Sequence, residues 1–232
     1  MKLLVFSDIH GNIYALEKLL ERLETFSYDK IIFLGDIFGY YYHQKETIAR
    51  LKEIPDLIWL KGNHDSYAVD IYFGRCKEEK YVARFGSSYQ NLSSNFLEKD
   101  IKHIETMPTS VILNSDGEKI GIFHGTPYNP VEGRQYPNAS IDFPEVYEDY
   151  NIVILGHTHW RMLRYVGDTM IINPGSLGQP RDGKGFCFAI VDTLLRKVEF
   201  IEVEINRFLL YEEIERKDPS MKNLKDILER SI

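Results

Sequence analysis

Cysteine is scarce: the 232 residues hold only two, Cys76 and Cys187, far apart and without Cys-x-x-Cys spacing. That pattern argues against a disulfide framework and suits two reduced, buried thiols in a cytosolic protein. A long leading apolar segment is also lacking. The run from Leu3 to Phe6 is closed by Ser7-Asp8, too short for a signal peptide or a membrane span. A cytoplasmic protein with no membrane partner is therefore expected. Basic residues are in deficit, 28 Lys and Arg against 35 Asp and Glu, for a formal net charge of -7 and a pI near 5.6. Proteins that hold long nucleic acid by neutralising its phosphates usually present a basic surface, so no such partner is expected. Internal repeats, low-complexity stretches and linkers are absent.

What is present suits one folded unit. The chain is 44% hydrophobic and 27% charged, and its length fits a single domain over residues 1–232 better than two. Leu3 to Phe6, Lys30 to Leu34 and Leu57 to Leu60 are short apolar runs without alternation, as expected of strands covered on both faces. Between them, Asn12 to Leu23 and Glu46 to Ile54 read as helices. The first carries Ala15, Leu16, Leu19, Leu20 and Leu23 on one face. The second ends before Pro55. This order implies a right-handed parallel crossover. Leu92 to Ile104 also reads as helical, and the tail after Pro219 as a charged, exposed helix. The second half is strand-rich, with runs beginning at Val111, Ile120, Ile152, Arg161, Met170, Phe186 and Val198. Two packed mixed sheets with outer helices follow.

Polar clusters sit directly behind the apolar runs: Asp8-Ile9-His10, Gly35-Asp36, Gly62-Asn63-His64-Asp65, His124-Gly125 and Gly156-His157-Thr158-His159. Ligand sites in open α/β sheets lie beyond the carboxyl ends of strands. Residues i and i+2 of an extended segment point the same way, so Asp8 with His10, and His157 with His159, can each offer two side chains to one pocket. Carboxylate and imidazole donors suit Mn, Fe, Ni, Co or Zn, and no Cys accompanies them as a structural zinc site would require. An acidic protein acting on a phosphate needs such cations near its site. His43 and His103 sit in polar helical contexts and read as surface residues. Pro180-Arg181-Asp182-Gly183 either forms a turn or lets Arg181 reach a substrate phosphate bidentately. Tyr40, Tyr41 and Tyr42 either pack or line a nucleobase pocket.

Singly these motifs are common. Together and in this order they resemble the calcineurin-like metallophosphoesterase superfamily, whose pattern is Asp-x-His, Gly-Asp, Gly-Asn-His-Asp/Glu, a later His, and Gly-His-x-His. The blocks run from Asp8 to His159, and Gly39-Tyr40, Asn173-Pro174-Gly175-Ser176 and Pro180-Arg181-Asp182 are similar to its small prokaryotic phosphodiesterase branch. The resemblance implies a four-layer α-β-β-α sandwich and two divalent ions. Manganese is the first choice of metal, with iron, nickel or zinc as alternatives. It implies Asp8, His10 and His159 at one ion, Asn63, His124 and His157 at the other, and Asp36 bridging both. His64 would be the catalytic proton donor, and a hydroxide bridging the ions the nucleophile. A small phosphodiester or nucleotide-type phosphoanhydride is the implied substrate, with phosphomonoester hydrolysis as the alternative and a non-catalytic scaffold, as in the retromer subunit of this fold, a third reading. One block departs: protein phosphatases of the superfamily carry Gly-Asp-x-x-Asp-Arg-Gly, whereas this chain has Gly35-Asp36-Ile37-Phe38-Gly39-Tyr40. The Asp that would orient the proton-donating His is missing, which argues against a protein phosphatase and leaves the partner of His64 open.

Overall fold

The structure is a computed structural model and describes residues 1–230. Strand β1 (Lys2–Phe6) leads through helix α1 (Ile13–Leu20) to β2 (Lys30–Phe33), then through α2 (Gln44–Lys52) to β3 (Ile58–Trp59). These three strands are parallel neighbours. Four helices follow: α3 (Asn63–Tyr72), α4 (Glu79–Phe85), α5 (Leu92–Asn95) and α6 (Glu98–Glu105). The second half runs β4 (Ser110–Ser115), β5 (Glu118–Phe123), α7 (Pro144–Glu148), β6 (Ile152–Ile154), β7 (Arg161–Val166), β8 (Thr169–Pro174), β9 (Phe186–Asp192) and β10 (Lys197–Val203). Helices α8 (Arg207–Lys217) and α9 (Lys222–Arg230) close it. The two five-stranded sheets have the orders β10-β9-β1-β2-β3 and β4-β5-β6-β8-β7, and both mix parallel and antiparallel pairs.

The unalternating runs have a direct cause. Leu3, Val5, Ile32 and Leu34 face the second sheet, against Ile120, Ile122, Ile152, Ile154 and Ile172. Leu4, Phe6, Ile31 and Phe33 face the other way, onto Ala15, Leu16 and Leu19 of α1 and Ile48 and Leu51 of α2. Each fully buried aliphatic or Phe side chain contributes about 1.5–3 kcal/mol of transfer free energy. The outer face of the second sheet is covered thinly. Val153, Leu155, Met162 and Ile171 meet Phe123 and Tyr147, the latter from α7, while Leu163 and Tyr165 remain exposed. The α-β-β-α order is that expected, with a sparse fourth layer.

Several boundaries differ from the sequence reading. Helix α1 stops at Leu20 and a 3-10 turn covers Leu23–Thr25. The helix expected over Leu92 to Ile104 is broken at Phe96-Leu97 into α5 and α6. Helices α3, α4, α7 and α8 were not expected. The tail is helical as expected but is not simply exposed: Leu224 and Leu228 are buried with Leu210 and Ile214 of α8. His43 is not a surface residue either. Its Nε2 lies 2.7 Å from Glu213 Oε1 on α8 and the ring is half-buried. His103 is exposed, edge-on to Trp59. Both cysteines are free, Cys187 buried and Cys76 half-buried. No helix among the described residues is long and apolar enough to cross a membrane.

Candidate metal centre

Parallel pairing sets the carboxyl ends of β1, β2 and β3 side by side, and likewise those of β5 and β6. The loops leaving these ends are cross-tied. Asp8 N donates to Gly35 O, His10 N to Asp36 O, and Gly156 N to His124 O, all within 2.9–3.0 Å. The chain then reverses at once. Asp8, His10, Asp36, Tyr40, His157 and His159 all have φ between 49° and 68°. Such left-handed backbone costs a non-glycine residue of order 1–3 kcal/mol and concentrates at functional sites. This corrects the geometry expected from sequence: Asp8 with His10, and His157 with His159, do converge, but through left-handed turns rather than an extended segment.

Two buried groups of side chains result, Asp8 with His10 and His159, and Asp36 with His124 and His157. Their donor atoms are oriented by backbone carbonyls. His10 Nδ1 lies 2.6 Å from Phe38 O, His124 Nδ1 2.9 Å from Leu34 O, and His159 Nδ1 2.7 Å from Gln179 O. A carbonyl can only accept, so each Nδ1 carries the proton and each neutral ring turns a bare Nε2 inward. His10 Nε2 and His159 Nε2 then face each other at 3.1 Å. Asp8 Oδ1 and Asp36 Oδ2 are buried without hydrogen-bond partners, 3.3 Å from His159 Nε2 and His124 Nε2 respectively. Asn63 Oδ1 adds an oxygen 3.1 Å from His124 Nε2. Converging lone pairs and orphaned carboxylate oxygens are mutually repulsive and fit divalent cations. Asp36 Oδ2 also lies 3.9 Å from His10 Nε2, between the two groups.

Protonation agrees with that donor set. Burial holds His10, His157 and His159 below the usual imidazole range, His157 down to about 2. A histidine must be neutral to bind a metal. Asp36 and His124 form the exception. Burial pushes the Asp36 carboxyl up to about 7, while His124, against the pull of its own burial, is raised to about 9 by the Asp36 carboxylate. The pair competes for one proton that a cation would replace.

His64 stands beside these groups, and its partner is an unexpected one. Its Nδ1 is 2.7 Å from the hydroxyl of buried Tyr89, which also lies 3.3 Å from His64 O. Gly39 makes room for the ring: a Cβ there would come within 2.4 Å of His64 Nδ1. Asp65 is structural. It accepts from Asp36 N at 2.8 Å, Ile37 N at 2.7 Å and Gly62 N at 3.0 Å, locking the second and third loops together. A cavity of about 300 Å³ opens over the site, lined by Asp36, Asn63, His64, His157 and His159 and by Tyr40 and Arg181. Arg181 thus belongs to the site wall, with Nη2 2.8 Å from both Tyr40 Oη and Gln179 Oε1. Of the three tyrosines, Tyr40 lines the cavity, Tyr41 is fully buried, and Tyr42 binds Asp218 at 2.9 Å on the far side of the loop. The sequence reading missed Tyr89, Arg84 and Arg134, the last holding His157 Nε2 through its Nε at 2.8 Å. None of the three stands in a motif.

The chain is similar to several known proteins. A metallophosphoesterase from Sphaerobacter thermophilus shares 26% identity, with a TM-score of 0.77 over all of both chains. An uncharacterized protein of Methanocaldococcus jannaschii, MJ0912, is 28% identical across 90% of each chain. The phosphodiesterase YfcE of Escherichia coli is 22% identical over 83% of this chain and 88% of its own. Residues 1–195 match the calcineurin-like phosphoesterase superfamily domain, and the chain belongs to that superfamily.

Proposed function

We propose that this chain is a dinuclear-metal phosphoesterase, acting in the cytoplasm on small phosphodiesters or nucleotide-type phosphoanhydrides. The observation that carries the reading is the pair of buried Asp/His groups meeting at Asp36, with His64 alongside. Asp8, His10 and His159 would hold one ion and Asn63, His124 and His157 the other, with Asp36 bridging. Two divalent ions held there would activate water and clamp one phosphoryl group. Manganese is the metal we favour, and the donor set also suits iron, nickel or zinc.

The chain's own residues do the rest. A water oxygen bonds to phosphorus, the bond from phosphorus to the leaving oxygen breaks, one water proton passes to solvent, and His64 protonates the leaving oxygen and regains a proton from solvent. Burial holds His64 well below the usual imidazole range, so it works as a neutral ring. The Tyr89 hydroxyl, closer to Nδ1 than to the carbonyl, supports the tautomer with its proton on Nε2. That is the donor form without an imidazolium. Tyr89 would thereby take the orienting place of the missing Asp. A chain that keeps all seven donor positions and His64 is not read as a scaffold.

The test compares bis-p-nitrophenyl phosphate with p-nitrophenyl phosphate in saturating manganese. The proposal expects higher kcat/KM for the diester. Preference for the monoester would make the chain a phosphomonoesterase. No turnover of either ester by protein with bound metal would favour the scaffold reading.

A further inference from the structure

Resting on that reading of the site, we infer that its substrate carries at least two linked phosphates, the second held by Arg84, Arg134 and Arg181. All three line the one cavity over the candidate metal centre. Arg84 and Arg134 reach it from its exposed rim and Arg181 from its half-buried wall, and cations so gathered repel unless carboxylates offset them. This chain does so elsewhere: Arg50 pairs with Glu17, Arg75 with Glu105, and Arg161 with Asp182, at 2.5–2.7 Å. Arg84, Arg134 and Arg181 have no ion pair among the described residues. They are steadied instead by neutral groups. Arg134 rests on His157 at 2.8 Å, Arg181 on Tyr40 and Gln179 at 2.8 Å, and Arg84 lies over the Phe85 ring at 4.9 Å. Arg181 Nε is buried with no hydrogen-bond partner. Glu132, the one carboxylate of the cavity wall besides Asp36, is engaged by Tyr67 Oη at 2.5 Å.

Charge decides what fits. Two divalent ions held by Asp8 and Asp36 would leave a small positive excess, which one phosphoryl group and a deprotonated water would neutralise. A simple diester, with one negative charge, would leave the three guanidiniums unanswered. A second phosphate answers them, and guanidinium forks match phosphate oxygens bidentately. The compact cavity, about 300 Å³, places that phosphate next to the first, as in a pyrophosphate unit. Hydrolysis then adds a water oxygen to one phosphorus and breaks the bridging P–O bond. The second phosphate leaves with the bonding electron pair, its bridging oxygen protonated by His64, and its remaining anionic oxygens are held by the arginines.

The probes are methylenediphosphonate, whose P–C–P bridge cannot be cleaved, and methylphosphonate. Each is measured as an inhibitor of bis-p-nitrophenyl phosphate turnover in excess manganese, and by calorimetry with metal-free protein. The diphosphonate should bind at least about tenfold tighter in both assays, the worth of one or more hydrogen bonds to a charged group. Arg84→Ala and Arg134→Ala should each shrink that ratio about tenfold or to unity, whatever they do to turnover of the aryl diester. Equal affinity for the two probes, or an unchanged ratio in both variants, would overturn the inference while leaving phosphoesterase activity intact. Tight, arginine-dependent diphosphonate binding without turnover of any ester would support the inference and refute the catalytic reading beneath it.

Discussion

At His64 the missing carboxylate of the Gly-Asp block and the nearby Tyr89 hydroxyl have distinct chemical consequences. A carboxylate would force a proton onto Nδ1. A hydroxyl can instead donate to Nδ1 and leave the proton on Nε2. General acid catalysis matters most for a poor leaving group, where it is worth about 10²–10⁴-fold. His64→Ala should therefore slow an alkyl or nucleoside diester far more than an aryl one, with metal content near normal. Equal losses for both, measured as kcat at saturating manganese, would leave His64 a positional role only. Tyr89→Phe should show the same leaving-group bias in weaker form, about tenfold for the loss of one buried hydrogen bond. Asp36 makes a second prediction. Its Oδ2 lies within 4 Å of a histidine of each group, so Asp36→Asn should weaken both ions and Asp8→Asn mainly one. Metal titration that finds one intact site in Asp36→Asn would exclude the bridge.

Among the elements, the loops after β1, β2 and β6 carry the strained backbone, and hydrogen bonds among them and to the loop after β3 hold it. Asp65 is the clearest of these, a buried side chain within 3.0 Å of three backbone amide nitrogens and 3.4 Å from a fourth, that of Phe38. Asp65→Ala would leave three buried N–H groups unsatisfied, at about 1–3 kcal/mol each. A fall in Tm of about 10 °C is expected for a chain of this size, read by thermal melts of the metal-free protein. An unchanged Tm would show that the loops are held by other contacts. The parallel strands and their polar ends were legible because uninterrupted apolar runs must be covered on both faces, and a carboxylate or imidazole at such a run's end marks the sheet's ligand edge. The helices from Asn63 to Glu105 were less legible. The polar and aromatic residues of α3 serve the site and mask its periodicity, so Asn63 and His64 look like loop residues although they open a helix. Arg84, Arg134 and Tyr89 were illegible for a different reason. They reach the site from α4, from the irregular segment after β5, and from a 3-10 turn, and no local pattern announces where such segments fold.

For the whole molecule, α8 and the turn after it are tied to the loop before α2 and to the turn after α4. Glu213 meets His43, and Asp218 accepts from Tyr42 and from Ser87 N and Oγ. The superfamily match ends at residue 195, yet Leu210, Ile214, Leu224 and Leu228 belong to the same apolar cluster as Phe6 and Phe33. We propose on that ground that residues 1–232 unfold as one domain. Far-UV circular dichroism and tyrosine fluorescence should give coincident transitions, and a separate early transition for the terminal helices would contradict it. If the chemistry depends on ions held around Asp36, removing them must abolish it. Protein stripped by chelator and verified by elemental analysis should not hydrolyse bis-p-nitrophenyl phosphate, and added manganese should restore turnover as two ions bind per chain. Full turnover by verified metal-free protein would mean that the chemistry needs no ion at Asp36.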